Sequence, residues 1–222
     1  MSGLTLALDA STYTASVALV QDDRLVREEM VAMRDPRHER LMPAVADTLG
    51  TAGMRDVGRI VCGAGPGSFT SLRIAASIAK GLAVASGKPL FAVSSLALLV
   101  AGTETAPPSG RWLCLLDAMR GEAFAQAFEV ASSGAISEAS DVRVVREDEV
   151  SALARAMQAR TIGPGRDMHA VPHARGVLRL ATHASLETPV DLASWEPDYG
   201  RLAEAQVRWE ATHGRALDGR PR

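Results

Sequence analysis

Lysine is almost missing from this 222-residue chain: only Lys80 and Lys88 stand among its 24 basic residues, so its positive charge is carried by arginine. Against 26 acidic residues this leaves a formal net charge of -2, which excludes a basic nucleic-acid module and an acidic tail. A hydrophobic share of 47% excludes disorder, although abundant alanine supplies much of it. Cysteine is equally scarce. Cys62 and Cys114 sit in separate apolar runs with no second Cys or His at ligand spacing, as expected of buried free thiols in a reducing compartment. No basic segment precedes the opening apolar run, and Asp9 breaks it, so no signal peptide is expected. The most apolar stretch, 81–102, is interrupted by Lys88 and Pro89, leaving no run of about 18 apolar residues. A cytoplasmic protein without membrane contact is expected.

What is present is a pattern of short β runs and helices. Leu4 to Leu8 ends at Asp9, and Ala15 to Val20 leads to the turn Gln21-Asp22-Asp23, which predicts a hairpin; 25–33 extends it as a third strand. Apolar positions from His38 to Leu49 recur at helical spacing, with Pro43 predicting a late start or a kink. A strand at 59–62 runs into GAGPGSFT, a helix follows over 71–86, then a strand at 90–93 and a helix from Ser95. The segment GTETAPPSG, 102–110, has linker composition and places a boundary between halves 1–104 and 105–222. Beyond it the opening unit recurs: RWLCLLDAMRGEAFAQAFEV sits beside LTLALDASTYTASVALV, with Asp9 and Asp117 108 residues apart. This repeat predicts two related α/β halves. The second half continues with a helix over 147–158, a strand at 160–162, a second Gly-Pro-Gly loop at 163–165, and a last helix over 202–211 that can pack back on the first half.

Two carboxylates at matching strand ends suit a metal and a phosphate chain between the halves, or each simply caps a turn. The glycine-rich junction 63–77 offers helix-start N–H groups to an anion, or is a tight structural turn. Asp9, Ser11, Gly65, Gly67, Ser68 and Asp117 are therefore the candidate anion cleft. Named motifs do not fit: Lys80 lies ten residues beyond Thr70, too far for a Walker A loop, and Ser68 stands where a dinucleotide fingerprint needs Gly. Met42 replaces the second His of a zincin helix, and Pro172 between His169 and His173 argues against a helical zinc pair. No catalytic triad, catalytic acid–base pair or metal site is expected. The 71–86 helix is apolar or small nearly all round, with Leu72, Ala75, Ala79 and Leu82 on one face and Ile74, Ile78 and Ala85 on another. Such a helix is covered either by a partner or by the chain's own layers.

These segments, LALDASTYTASVALV, RHERLMP, GAGPGSFTSLRIAASIAKGLA, PLFAVSSL and LLDAMRGEAF, together resemble the TsaB (YeaZ) family, closely over 4–101 and loosely beyond. The resemblance implies two ribonuclease-H-like halves of the actin, hexokinase and heat-shock-protein-70 (ASKHA) type. It implies a non-catalytic scaffold for TsaD, which transfers threonylcarbamoyl to adenosine 37 of tRNA, in a complex that also recruits TsaE. TsaD carries a metal-binding His-x-x-x-His after the strand that here reads PLFAV, whereas Ser94 to Leu99 contain no histidine. Ala10 replaces the superfamily's Gly after the first Asp, Ser71 a common Gly, and Met119 a common Arg. The implied interface with TsaD is Leu41, Met42, Val45, Leu49, Leu72, Ile74, Ala75, Ile78, Ala79 and Leu82. No cofactor is implied beyond weak nucleotide binding at that interface, no direct nucleic-acid contact is expected, and a homodimer in the partner's absence stays open. The competing reading is a small ATP-dependent kinase of the same superfamily; a metallopeptidase is disfavoured by the missing ligands.

Overall fold

A computed structural model of the chain describes residues 3–33, 40–200 and Thr212. The expected helix start at His38 and the expected last helix over 202–211 lie outside the described residues. The first sheet runs β3 (Arg24–Ala32), β2 (Thr14–Gln21), β1 (Leu4–Asp9), β4 (Val57–Gly63), β5 (Leu90–Val93) in spatial order. β1 pairs antiparallel with β2 and parallel with β4, and β4 is parallel to β5. α1 (Leu41–Leu49) follows β3, and α2 (Phe69–Ser86) connects β4 to β5. After α3 (Ser95–Ala101), the sequence repeat becomes a structural one. β6 (Gly110–Asp117) and β7 (Glu122–Val130) form a hairpin matching β1–β2, and β10 (Arg160–Gly163) lies parallel beside β6 as β4 lies beside β1. Two short strands, β8 (Ile136–Glu138) and β9 (Arg143–Arg146), share the place beyond β7 that β3 fills alone in the first sheet. A 3-10 turn at Glu147–Glu149 leads into α4 (Val150–Ala156), the counterpart of α1. The halves differ at one decisive place: β4 reaches β5 through α2, whereas β10 passes Gly163-Pro164-Gly165 straight into the two-residue β11 (Met168–His169). This is the ribonuclease-H-like, ASKHA-type α/β fold that the repeat and the resemblance implied.

Alternation assigns the faces. Leu6, Leu8, Val17, Ile60 and Cys62 point to α1 and α2, while Ala7, Ala18, Val61 and Val93 point to the opposite side. Both faces of the first sheet are thus covered, which is why β1 reads as a nearly continuous apolar run. On the opposite side lies α3, capped by Ser94 Oγ, which accepts from the Leu96 and Ala97 amides. Every residue of α3 is buried. Its neighbours in one continuous core include Trp112, Cys114, Leu116 and Phe128 of the second sheet, so both sheets share a single apolar layer. Burying Leu96, Leu98 and Leu99 stabilises this junction by roughly 1.5–3 kcal/mol each.

The chain after β11 returns to the first sheet. The Ala174 amide donates to Ser16 Oγ at 2.8 Å, and Arg179 donates to the Ala101 and Thr103 carbonyls at the end of α3. The Val190 amide donates to the Leu90 carbonyl, Lys80 Nζ of α2 to the Trp195 carbonyl, and the Asp198 amide to the Ala64 carbonyl. Among the described residues no helix is long and apolar enough to cross a membrane.

Candidate functional site

The outer side of α2 carries an open, largely apolar groove. Its inner side is built from small residues: Ala75, Ala76, Ala79 and Ala83 are buried with Leu72, which lets the helix lie close on the sheet. Ile74, Ile78 and Leu82 are half-buried at the edge of the same core, and Phe69 and Arg73 are exposed. Phe69, Thr70, Arg73, Ile74, Ser77 and Ile78 line an open groove of about 450 Å³ along two turns of the helix. Arg73 lies 5.2 Å from the centre of the Phe69 ring, and the Tyr199 ring sits 4.5 Å from Phe69 on its other flank. Val84, 70% exposed, continues the apolar strip toward the helix end.

The expected interface therefore divides. Leu41, Val45, Leu72, Ala75 and Ala79 are fully buried in the chain's own core, so they seat the two helices and present no surface to a partner. Leu49, Ile74, Ile78 and Leu82 are half-buried, and Met42 is 40% exposed. Phe69 and Thr70 were missed because the helix was expected to start at Ser71; it starts directly after Ser68. The spacing Phe69, Arg73, Ser77 beside Thr70, Ile74, Ile78 is the i, i+4 signal that places them on one face.

The expected anion cleft is filled by the chain itself. Asp9 is fully buried, with Oδ1 accepting from the Ser11 amide at 3.0 Å and Ser11 Oγ at 2.7 Å. Its Oδ2 accepts from Ser95 Oγ at 2.5 Å. Burial pushes the Asp9 carboxyl above its ordinary value, and the hydrogen bonds from Ser95 and Ser11 act against that rise. A Cβ on Gly67 would overlap the Ser11 carbonyl, and one on Gly65, where φ is +91°, would overlap the Asp198 carbonyl. The glycines thus admit neighbouring backbone where a phosphate was envisaged. The Ser68 amide donates to the Ser11 carbonyl, and Ser68 Oγ lies 3.1 Å from Ser71 Oγ. Ala10, standing where the superfamily has Gly, is itself buried. Asp117 is exposed and accepts from the Met119 amide at 2.7 Å, so the turn-capping alternative describes both aspartates. The two turns meet where Tyr13 Oη contacts Met119 Sδ at 3.7 Å.

The two histidines at zinc-like spacing, for which no metal site is expected, lie apart in character: His169 is exposed and accepts from the Gly165 amide through Nδ1, while His173 is buried beside Glu28. Among the described residues no three His, Cys, Asp or Glu side chains gather into a metal-binding group. Both cysteines are free and buried, and burial pushes both thiols up.

Residues 33–170, more than half of the chain, match the family described as TsaD, tRNA N6-adenosine threonylcarbamoyltransferase. The tRNA threonylcarbamoyladenosine biosynthesis protein TsaB of Bacillus subtilis is 29% identical, over 92% of this chain and 96% of that protein. The TsaB protein of Escherichia coli is 36% identical over 54% of this chain and 52% of its own. The solved structure of YeaZ from Pseudomonas aeruginosa superposes with a TM-score of 0.74 at 30% identity, covering 90% of this chain and all of that one. The filled cleft, the repeated hairpin and these relatives agree: the chain belongs to the TsaB (YeaZ) family of tRNA threonylcarbamoyladenosine biosynthesis proteins.

Proposed function

We propose that this protein is the non-catalytic subunit of a cytoplasmic tRNA-modifying complex. It docks through the outer face of α2 onto a TsaD-type threonylcarbamoyltransferase, in an assembly that also takes in TsaE. The observation that carries this reading is the open groove on α2, lined by the exposed Phe69 and by Ile74 and Ile78, which are only partly taken up by the chain's own core. A helix facing only water gains nothing from such residues on its outer side, whereas a helix facing a partner does. Arg73 beside Phe69 gives the groove a cation at its rim, matching interfaces with apolar centres and polar edges. Catalysis belongs to the partner in this reading, because Asp9 is sealed from solvent by Ser11 and Ser95. The same sealing weighs against the kinase alternative, which needs that carboxylate beside a phosphate chain.

Ile78→Glu, on the groove and only half-buried, tests the reading. The variant should remain folded by circular dichroism and lose co-purification with the TsaD-type partner, since a carboxylate inside a docked apolar groove costs several kcal/mol. Retained co-purification overturns the assignment of the docking face.

A further inference from the structure

Asp9 accepts from Ser11 in the turn after β1 and from Ser95 at the start of α3, and both of these partners bond in turn to the segment preceding α2. Through Oδ2 it accepts from Ser95 Oγ, and the same Ser95 Oγ accepts from the Gly65 amide at 3.1 Å while the Ser95 amide donates to the Gly65 carbonyl at 2.9 Å. Through Oδ1 it fixes Ser11, whose carbonyl accepts from the Ser68 amide at 2.7 Å. Gly65 and Ser68 are the two ends of the turn that launches α2. The carboxylate lies so close to the strand before it that a Cβ on Gly63 would overlap Oδ2. One buried group therefore anchors both sides of the turn, and Ser68 is the residue immediately before the first residue of the docking helix.

The duplicated half supplies an internal comparison. Asp117 holds the matching strand end, but it is exposed and accepts from Met119 of its own turn. The Gly163-Pro164-Gly165 loop there is held by other groups: the Gly165 amide donates to His169 Nδ1, and the Ala170 amide donates to the Gly163 carbonyl. No helix lies between β10 and β11, so that loop has no helix to aim. The buried, bridging arrangement occurs in the half where a helix leaves the glycine loop.

We propose that Asp9, with Ser95 and Ser11 as its two arms, is a positioning residue for partner docking: it clamps the Gly65–Ser68 turn and so sets the direction in which α2 presents Phe69, Ile74 and Ile78. This rests on the docking reading above. What distinguishes the clamp from general core packing is that its two arms, Ser11 and Ser95, both bond onward to the backbone of this one turn.

The test uses the full chain in four forms: wild type, Ser95→Ala, Asp9→Asn, and Leu113→Ala as a control that weakens the second sheet's own core, away from the clamp. Amide hydrogen exchange is read at Gly65 and Ser68, and affinity for the TsaD-type partner by calorimetry. Ser95→Ala and Asp9→Asn should speed exchange at Gly65 and Ser68 and weaken partner binding by about tenfold. Leu113→Ala should lower the melting temperature at least as much and bind within about twofold of wild type. Unchanged exchange at Gly65 and Ser68 overturns the clamp. Equal losses of affinity in Ser95→Ala and Leu113→Ala overturn the directing role, leaving only stability. If wild type does not bind the partner, the docking reading fails separately, and exchange alone then decides whether Asp9 fixes the turn.

Discussion

Acidification should weaken this protein through His173, by an amount the structure allows to be worked out. His173 begins the segment that returns from the second sheet to the first, with only 6% of its surface exposed. Its Nδ1 lies 3.4 Å from Glu28 Oε2 of β3, a contact that favours the protonated ring. Two effects oppose it. Burial removes water from the imidazolium, and Arg175 places a second cation nearby, while Glu104 acts weakly the other way. Glu28 is also already engaged, its Oε1 receiving Arg175 Nη1 at 3.0 Å, so much of its charge is neutralised before His173 can use it. Burial wins, and the His173 pKa is pushed down from 6.5 to about 4. The unfolded chain then takes up this proton first as pH falls. The stabilising contribution is fully present above about pH 6.5, declines through the interval below it and is exhausted near pH 4, at up to ~1.4 kcal/mol per pH unit and roughly 3 kcal/mol in all. Denaturant unfolding of wild type and His173→Gln at several pH values isolates this group, because carboxylate titrations common to both cancel in the difference. The stability advantage of wild type over the variant should shrink by about 3 kcal/mol between pH 7 and 4. An advantage that grows on acidification would show that Glu28 prevails and would falsify the argument; a constant one would show that His173 does not titrate differently on folding.

Because α3 lies in a core common to both sheets, Leu98→Ala should cost about 2–5 kcal/mol and leave a single calorimetric transition. Two separated transitions would break the shared-core account. Cys62 and Cys114 are buried and held as thiols, so neither should react with a thiol-specific disulfide reagent at pH 8 until denaturant is added. Stoichiometric labelling of the native protein would contradict their placement.

The parts of this fold that carry a period were legible in the sequence. The β1–β2 hairpin and its copy β6–β7 were visible as apolar runs closing on Asp9 and Asp117, and β5 was placed at its observed bounds. The parts that sequence reading leaves out have no period to read: β8 and β9 are three and four residues long, β11 is two, and 174–200 packs on the first half through short 3-10 turns and single buried residues such as Val177 and Leu180, with bonds such as those of Arg179. The site was misassigned for a different reason. Periodicity separates two apolar faces on α2 without saying which one turns inward, so the expected interface includes Leu72, Ala75 and Ala79, which have no exposed surface. What decides the direction is size. Close approach of a helix to a sheet selects alanine at the centre of the inner side, so Ile74 and Ile78 flank it, half-buried against the core and lining the groove. Asp9 posed the same problem at one residue: a strand-end carboxylate can face a cleft or close a turn, and what settles it is Ser95, 86 residues away, whose hydroxyl reaches Oδ2. Local sequence cannot contain that information, because it depends on β5 ending beside β4 at the height where β1 delivers Asp9. The alanine enrichment that makes the composition look uninformative is therefore the feature that seats α2 closely on the sheet, with Ile74 and Ile78 half-buried along the groove that the exposed Phe69 helps to line.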